Sequence, residues 1–344
     1  MRDIRKAPES VINEERKFNW GCYNGPIRNV NMLDADLGLK YFKNLALREW
    51  QAFQLHTDDG WFVMMAIYNT KKVCIVQFIL YNIETKVKMR YEKKVLPKSM
   101  QIPNGLYNTI CSHQSKGFFI EATHDIENSK LSIKVEVAAS AKLPKLSANI
   151  EADHNISKSE PLVVCMPFSE NKGMYSHKCL MPVSGSIQFG DQNITIQRSK
   201  SSLIIDDHKG YYPYPTKYDW ATGLGFDNQG RRVGFNLTNN QVINQEDYNE
   251  NCIWVDGEMI PLPPIQFERP NGFKSNWTIK DEKGYVDLVF TPVVHNSVKL
   301  NLGIIASKYE GPYGVFNGEL KSNDGKVYQV EDLFGMGEEF YLRT

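Results

Sequence analysis

This chain lacks most of the features that would place it quickly. No run of about 18 apolar residues occurs, so nothing reads as a membrane-crossing helix. The longest apolar stretch, VCIVQFILY at 73–81, reads instead as a buried strand. Charge of one sign is not in excess: 40 basic residues face 40 acidic ones. That balance argues against nucleic acid or an anionic membrane as the main partner. The opening MRDIRKAPESVINEERKF has no apolar signal region, so a cytoplasmic location is expected. The six cysteines are scattered, form no CxxC and have no histidine at ligand spacing. They read as reduced packing thiols, and neither a metal nor another cofactor is expected. There is no GxxxxGK[ST], no GxSxG and no HExxH. The GLG at 223–225 lacks a third glycine, so it is no dinucleotide loop. No segment holds a 3.6-residue period over three turns, which leaves little room for long helices.

What is present is alternation. LALREWQAFQLHTDDGWFVMMAIYN reads as two strands around Asp58-Asp59-Gly60. In LSIKVEVAA, Leu131, Ile133, Val135 and Val137 alternate with polar residues, the period-2 mark of a half-buried strand. Further short strands follow to the C-terminus, so the protein is mostly antiparallel β.

The second half repeats the first. Trp50, Gly60, Val63 and Asn69 recur at one constant spacing as Trp220, Gly230, Val233 and Asn239. Further on, GSIQFGDQNITIQ at 185–197 resembles GELKSNDGKVYQV at 318–330. Two matched pairs in the same order predict two copies of one unit of roughly 160 residues. Eight or so short strands fill such a unit as an antiparallel barrel, whose closure removes exposed sheet edges. The expected layout is an arm at 1–18, a first barrel at 19–180 and a second at 181–344.

Chemically useful side chains concentrate in LIIDDHKGYYPYPTKYDWATGLGFDNQGRRVGFNLTN, residues 203–239. In a strand, Asp206 and His208 share a face and Asp207 points the other way. That pairing suits acid–base work or a satisfied structural network. Tyr218 and Trp220 share a face opposite Asp219. Either the aromatics line a cavity or Asp219 points inward. Pro213 and Pro215 hold the GYYPYP segment extended, so Tyr212 and Tyr214 should project together, beside Tyr211. Lys217 is a candidate partner for the carboxylates, and Asn236, Glu250 and Asn251 are candidate lining residues. In the N-terminal half the candidates are Trp20, Tyr23, Arg28 and His56. Glu338 and Glu339 read as a solvated loop after a Gly-Met-Gly turn.

DDHKGYYPYPTKYDWATGLG, RRVGFNLTN, ENCIWVDGEMIPLPP and VDLVFTP resemble the motifs of the bacterial family called domain of unknown function 2804. The resemblance is dense over 203–344 and looser over 19–90, where NWGCYNGPI and REWQAF carry it. That family brings no settled activity. Its two-part layout is similar to carotenoid 1,2-hydratase and related lipocalin-like double barrels. Those carry a Trp-Asp-Trp strand, where this chain has Tyr218-Asp219-Trp220. The resulting expectation is an all-β protein of two tandem lipocalin-like barrels that binds a small or elongated organic ligand near the junction of its halves. The alternatives are a lyase, hydratase or carbohydrate-active enzyme using a carboxylate with Tyr or His, with Asp206, His208, Tyr218 and Asp219 as its catalytic groups, or a structural module without a pocket.

Overall fold

The computed structural model describes residues 2–72, 74–302 and 305–343. Val73, the first residue of the expected buried strand, lies outside them; the strand itself runs Cys74–Asn82. The chain folds as two compact units. The N-terminal unit comprises Arg5–Cys165 and Met174–Tyr211, and the C-terminal unit comprises Met1–Ile4, Met166–Gly173 and Tyr212–Thr344.

The main strands of the N-terminal unit are β1 (Arg48–His56), β2 (Trp61–Asn69), β3 (Cys74–Asn82), β4 (Lys88–Val95), β5 (Thr109–Ser115), β6 (Phe118–Asp125), β7 (Lys130–Val137), β8 (Leu146–Asp153), β9 (Gly173–Phe189) and β10 (Ser202–Gly210). They join in the order β4-β3-β2-β1-β10-β9-β8-β7-β6-β5, antiparallel at every step. Alternate residues face one apolar core: Phe53 and Leu55, Val63, Met65 and Ile67, Val76, Phe78 and Leu80, Ile133 and Val135, Leu203 and Ile205. The period-2 pattern read at 131–137 is therefore real, and all four of its apolar residues are buried.

In the C-terminal unit the main strands are β11 (Thr216–Phe226), β12 (Arg232–Asn240), β13 (Cys252–Val255), β14 (Glu258–Pro261), β15 (Gln266–Glu268), β16 (Trp277–Lys280), β17 (Val286–Val294), β18 (Ile305–Glu310), β19 (Tyr313–Lys321) and β20 (Val327–Arg343). Their order is β14-β13-β12-β11-β20-β19-β17-β16-β15, with β18 beside β20. This is the first sheet over again. In each unit the strand bearing the Trp-led motif pairs with the strand that arrives last in sequence: β1 with β10, and β11 with β20.

The duplication extends to single atoms. Gly185 on β9 faces Ile150 of β8, and Gly318 on β19 faces Leu288 of β17. Their φ angles are +139° and +138°. A Cβ built on Gly185 would lie 2.1 Å from the carbonyl oxygen of Asn149, and one on Gly318 would lie 2.1 Å from that of Asp287. Both backbones approach the next strand closer than any side chain permits, at a φ that L-residues rarely adopt. The matched pair GSIQF and GELKS thus marks one structural device used twice.

Two boundaries differ from the expected layout. The division at 180/181 falls inside β9, because the chain must return along β10 to pair with β1 before it leaves for the second sheet. The changeover instead follows Tyr211. The expected boundary at 18/19 is not a break in the packing either. Val11, Ile12 and Phe18 are buried with Tyr23, Ile27, Val30, Leu47, Val163, Tyr175 and Tyr211 in a second apolar cluster of the N-terminal unit.

Gly185→Ala and Gly318→Ala should each lower stability by at least about 2 kcal/mol, since backbone has to move to admit the methyl. Gly25→Ala, where a Cβ would meet nothing within 4 Å, should change it by less than about 0.5 kcal/mol. Urea unfolding of the three variants measures this.

Candidate functional site

β10 carries charge on both faces and is buried along its whole length. Leu203, Ile205, Asp207 and Lys209 alternate toward the barrel interior. Cross-strand rows therefore change character along the barrel. Cys179, Ile205, Phe53, Met65 and Phe78 form an apolar row. The next interior row is His177, Asp207, Gln51 and Ile67, and the one beyond is Tyr175, Lys209, Glu49 and Asn69. A polar layer thus sits between the main apolar core and the second cluster that contains Tyr175 and Leu47.

Within that layer Gln51 Nε2 donates to Asp207 Oδ1 at 2.9 Å, and its Oε1 lies 2.9 Å from His124 Nε2. His154 and His177 face each other through their Nε2 atoms at 3.1 Å. Lys209 Nζ is 3.5 Å from Glu49 Oε1, and Glu49 also pairs with Lys71. Among the described residues, Asp207 Oδ2 and the Nδ1 atoms of His124, His154 and His177 have no hydrogen-bond partner. Burial holds the imidazoles neutral: His124 is lowered to about 3, His154 to about 4 and His177 well below its ordinary value. Burial also raises the Asp207 carboxyl, against the pull of Lys209 and Gln51.

The opposite face of β10 holds the pair expected from the sequence. Asp206 Oδ1 is 3.0 Å from His208 Nε2, and Asp206 Oδ2 is 2.9 Å from Lys178 Nζ. Ser176 Oγ is 2.8 Å from the same Nε2, and the ring of Trp50 stacks on the imidazole with centroids 4.6 Å apart. Burial alone would raise the Asp206 carboxyl, but Lys178 and His208 outweigh it and hold it well below the usual carboxylate range. Ser176 and Asp206 address one nitrogen. The three are therefore not a nucleophile relay, in which carboxylate and hydroxyl take opposite ring nitrogens.

In the C-terminal unit the open choice on β11 resolves with Asp219 toward the interior, on the face of core residue Ala221. Across the strands it lies between Asn239 and Glu339. Arg269 Nη2 donates to Asp219 at 2.7 Å, and its Nη1 is 3.8 Å from Glu339. The guanidinium sits 4.0 Å from the ring centroid of Trp277. Lys308 Nζ donates to Glu339 at 2.6 Å and lies 4.4 Å from the centroid of Phe273. Burial raises the Asp219 carboxyl, opposed by Arg269 and supported by Glu339. The row Asn239, Asp219, Glu339 is the counterpart of Asn69, Glu49, Lys209 in the other unit.

Tyr218 and Trp220 project to the other face of β11. Tyr218 donates to Glu338 Oε1 at 2.6 Å, and Trp220 Nε1 donates to Asn236 Oδ1 at 2.7 Å. Glu338 and Glu339 belong to β20, where pairing with β11 continues, not to a solvated loop. Asn236 Nδ2 bonds the Glu250 carbonyl, and Glu250 is buried. Asn251 is committed to main chain: its Oδ1 accepts from Thr238 N at 2.6 Å and its Nδ2 donates to Pro263 O at 2.8 Å.

Other expected residues are not gathered. Tyr211 is buried and donates to Met32 O at 3.1 Å. Tyr212 packs on Phe168, whereas Tyr214 is exposed, so the two do not project together. Lys217 is exposed and lies 5.7 Å from the Tyr341 ring centroid, not on a carboxylate. Trp20 stacks on Phe18 with centroids 4.3 Å apart. Tyr23 is a core residue that donates to Asn19 O. Arg28 is half exposed on Glu127. His56 opposes Ser202 at the far end of β1 from Trp50 and His208, about 20 Å along the strand. Its pKa is lowered to about 4 by burial. Gln51, His124, His177, Lys178, Arg269 and Lys308 carried no sequence signal, because each meets partners that lie far away in the sequence.

Two open surface clefts lie elsewhere, one beside Leu33–Lys43 and one beside Asn128–Lys130 and Arg198, and neither touches residues 206–220. Among the described residues no group of His, Cys, Asp or Glu is arranged to hold a metal ion, and no helix is long and apolar enough to cross a membrane.

Residues 3–343 match the family described as Domain of unknown function (DUF2804). The chain belongs to this family. No curated protein matches it. Among solved structures it is similar to kievitone hydratase from Nectria haematococca, at 13% identity and a TM-score of 0.53, covering 86% of this chain and 89% of that one. That likeness shows the fold, two tandem lipocalin-like β-barrels. CdiB from Acinetobacter baumannii aligns at 7% identity over 87% of this chain and 60% of that one, but its TM-score of 0.16 carries no argument.

The buried histidines set an acid limit on this DUF2804 chain. His124 and His154 take up a proton near pH 6.5 when unfolded but stay neutral in the fold. Their contribution is fully present above that pH and is lost as pH falls toward about 4, by roughly 1.4 kcal/mol per pH unit for each. Asp206 acts in the same direction lower down, stabilising above the ordinary carboxylate pKa and losing that below it. Asp207, being raised, has the opposite sign. Urea unfolding from neutral pH down to about pH 5 should show the decline, and His124→Gln should make it shallower.

Proposed function

We propose that this DUF2804 protein is an acid–base enzyme acting on a small organic molecule, of the hydratase or lyase type. The proton-transferring group is His208, and Asp206 is the carboxylate that positions it. The observation that carries this reading is the contact of a carboxylate held ionised by Lys178 with His208 Nε2 at 3.0 Å, beneath the stacked ring of Trp50. Imidazole is the side chain whose ordinary pKa suits proton exchange near neutrality. A fixed carboxylate beside it orients the ring, and Trp50 supplies a flat apolar wall. Adding water to a double bond, or removing it, needs one group to move a proton to carbon and one to move a proton on oxygen. Ser176 at the same nitrogen offers a hydroxyl to relay one of them. The fold likeness to a hydratase supports the choice of reaction class.

A second reading, ligand binding without turnover, is favoured by one observation. Asp219, Glu339 and Lys308 remain partly exposed beside Trp277 and Phe273, whereas Asp206 and His208 are closed to solvent. A ligand with a carboxylate or several hydroxyls fits that mixture of cations, carboxylates and rings.

Kievitone is the first probe. Incubation with the full chain should give a product heavier by one water, read by mass spectrometry. His208→Gln should lower the rate at least about a hundredfold while thermal melting and probe affinity are kept. Unchanged turnover in a folded His208→Gln variant would remove the pair from the mechanism. Binding that is abolished by Arg269→Met, without any turnover in the parent protein, would establish the second reading.

A further inference from the structure

A surface helix ordinarily turns its apolar residues inward and its lysines outward. The one α-helix of the described chain, α1 (Lys40–Ala46, KYFKNLA), does the reverse. Lys43 is 5% exposed, and its ammonium donates to the carbonyls of Leu33 and Ala35, both at 2.7 Å. Outward stand Leu39 at 72%, Tyr41 at 70%, Phe42 at 62% and Leu45 at 37% exposure. From Gly38 to Ala46 every residue except Lys43 is exposed, so the segment protrudes as a knob. It leaves the fold through Gly38, whose φ is +86°. Rolling the knob over to hide its apolar side would strip the Lys43 ammonium of both carbonyls.

A contiguous apolar projection of this kind marks an interaction surface. Its charges say with what. The single charged residue exposed on the knob is Lys40, and no carboxylate occurs between Asp36 and Glu49. At the base, Asp36 pairs with Arg16 at 3.4 Å, and Asp34 accepts from Asn31 at 2.9 Å. A convex, aromatic and leucine-rich tip with a cation at its shoulder suits a fluid anionic surface, with rings among the headgroups and leucines below them. The balanced charge of the whole chain does not bear on this local patch.

We propose that residues 39–46 are an interfacial anchor by which the protein attaches reversibly to an anionic lipid surface. Leu39, Tyr41, Phe42 and Leu45 enter the boundary between headgroups and acyl chains, and Lys40 stays at headgroup level. This is attachment at the surface and not a span.

The test uses the full chain with vesicles of phosphatidylcholine, with and without phosphatidylglycerol. The protein should sediment with the mixed vesicles, and a Phe42→Trp variant should show a blue-shifted emission when they are added. Tyr41→Ser combined with Phe42→Ser should weaken binding roughly tenfold or more, with circular dichroism and melting unchanged, since both rings are already in water. Lys40→Glu should weaken binding to the mixed vesicles more than to phosphatidylcholine alone. No sedimentation above the vesicle-free control, or binding unaffected by the double substitution, overturns the proposal. So does a dimer seen by analytical ultracentrifugation that the double substitution abolishes while vesicles bind nothing, for then the knob is a contact between copies.

Discussion

Taking a charge out of water costs several kcal/mol unless a partner replaces the lost hydration. Strand Ser202–Gly210 does this repeatedly, with Asp206, Asp207, His208 and Lys209 all buried. Each face must therefore find its own partners. The interior face draws in Gln51, Glu49, His124 and His177. The other face draws in Lys178, Ser176 and Trp50. Those partners come from the two neighbouring strands, Arg48–His56 and Gly173–Phe189, and from Phe118–Asp125. The charge on one strand thereby fixes the register of the strands around it, since a one-residue slip would exchange the faces and orphan every group.

The two faces reach opposite solutions to the same cost. Toward the interior, the imidazoles are driven neutral and the Asp207 carboxyl upward, because the layer lies between two apolar clusters with few compensating charges. On the other face, Lys178 and His208 keep Asp206 ionised despite its burial. Neighbouring carboxyls in one dipeptide are thus pushed apart in acidity by environment alone, which is the condition that acid–base chemistry exploits. The C-terminal unit handles the matching row differently. Its Asp219 and Glu339 stay near solvent and are neutralised by Arg269 and Lys308 braced on aromatic rings.

Duplication explains why these rows correspond. The pairing of the Trp-led strand with the last strand is kept in both units, as is the glycine at the close backbone approach. What differs is the residue set at equal positions. Where one unit has Lys209 opposite Glu49, the other has Glu339 opposite Asp219. Like charges cannot face each other unattended, so the second unit recruited cations from elsewhere in its own fold.

Sequence by itself determined the class of fold, because alternation along a strand is a local property. Leu131, Ile133, Val135 and Val137 had to face one side whatever they packed on. It also showed the duplication, since matched glycines and tryptophans keep their spacing, and it placed Asp206 with His208 on one face. Only the tertiary structure decided which face was interior, because that depends on which side of the sheet curls inward. It supplied Gln51, Lys178 and Lys308, which meet their partners across hydrogen-bonded strands, and Arg269, which reaches Asp219 from just past the end of a strand. It moved the boundary between units to Tyr211, because Ser202–Gly210 is needed to complete the first sheet. And it turned Lys43 inward and Phe42 outward, an inversion that no count of apolar residues contains, because the carbonyls of Leu33 and Ala35 replace water around one ammonium.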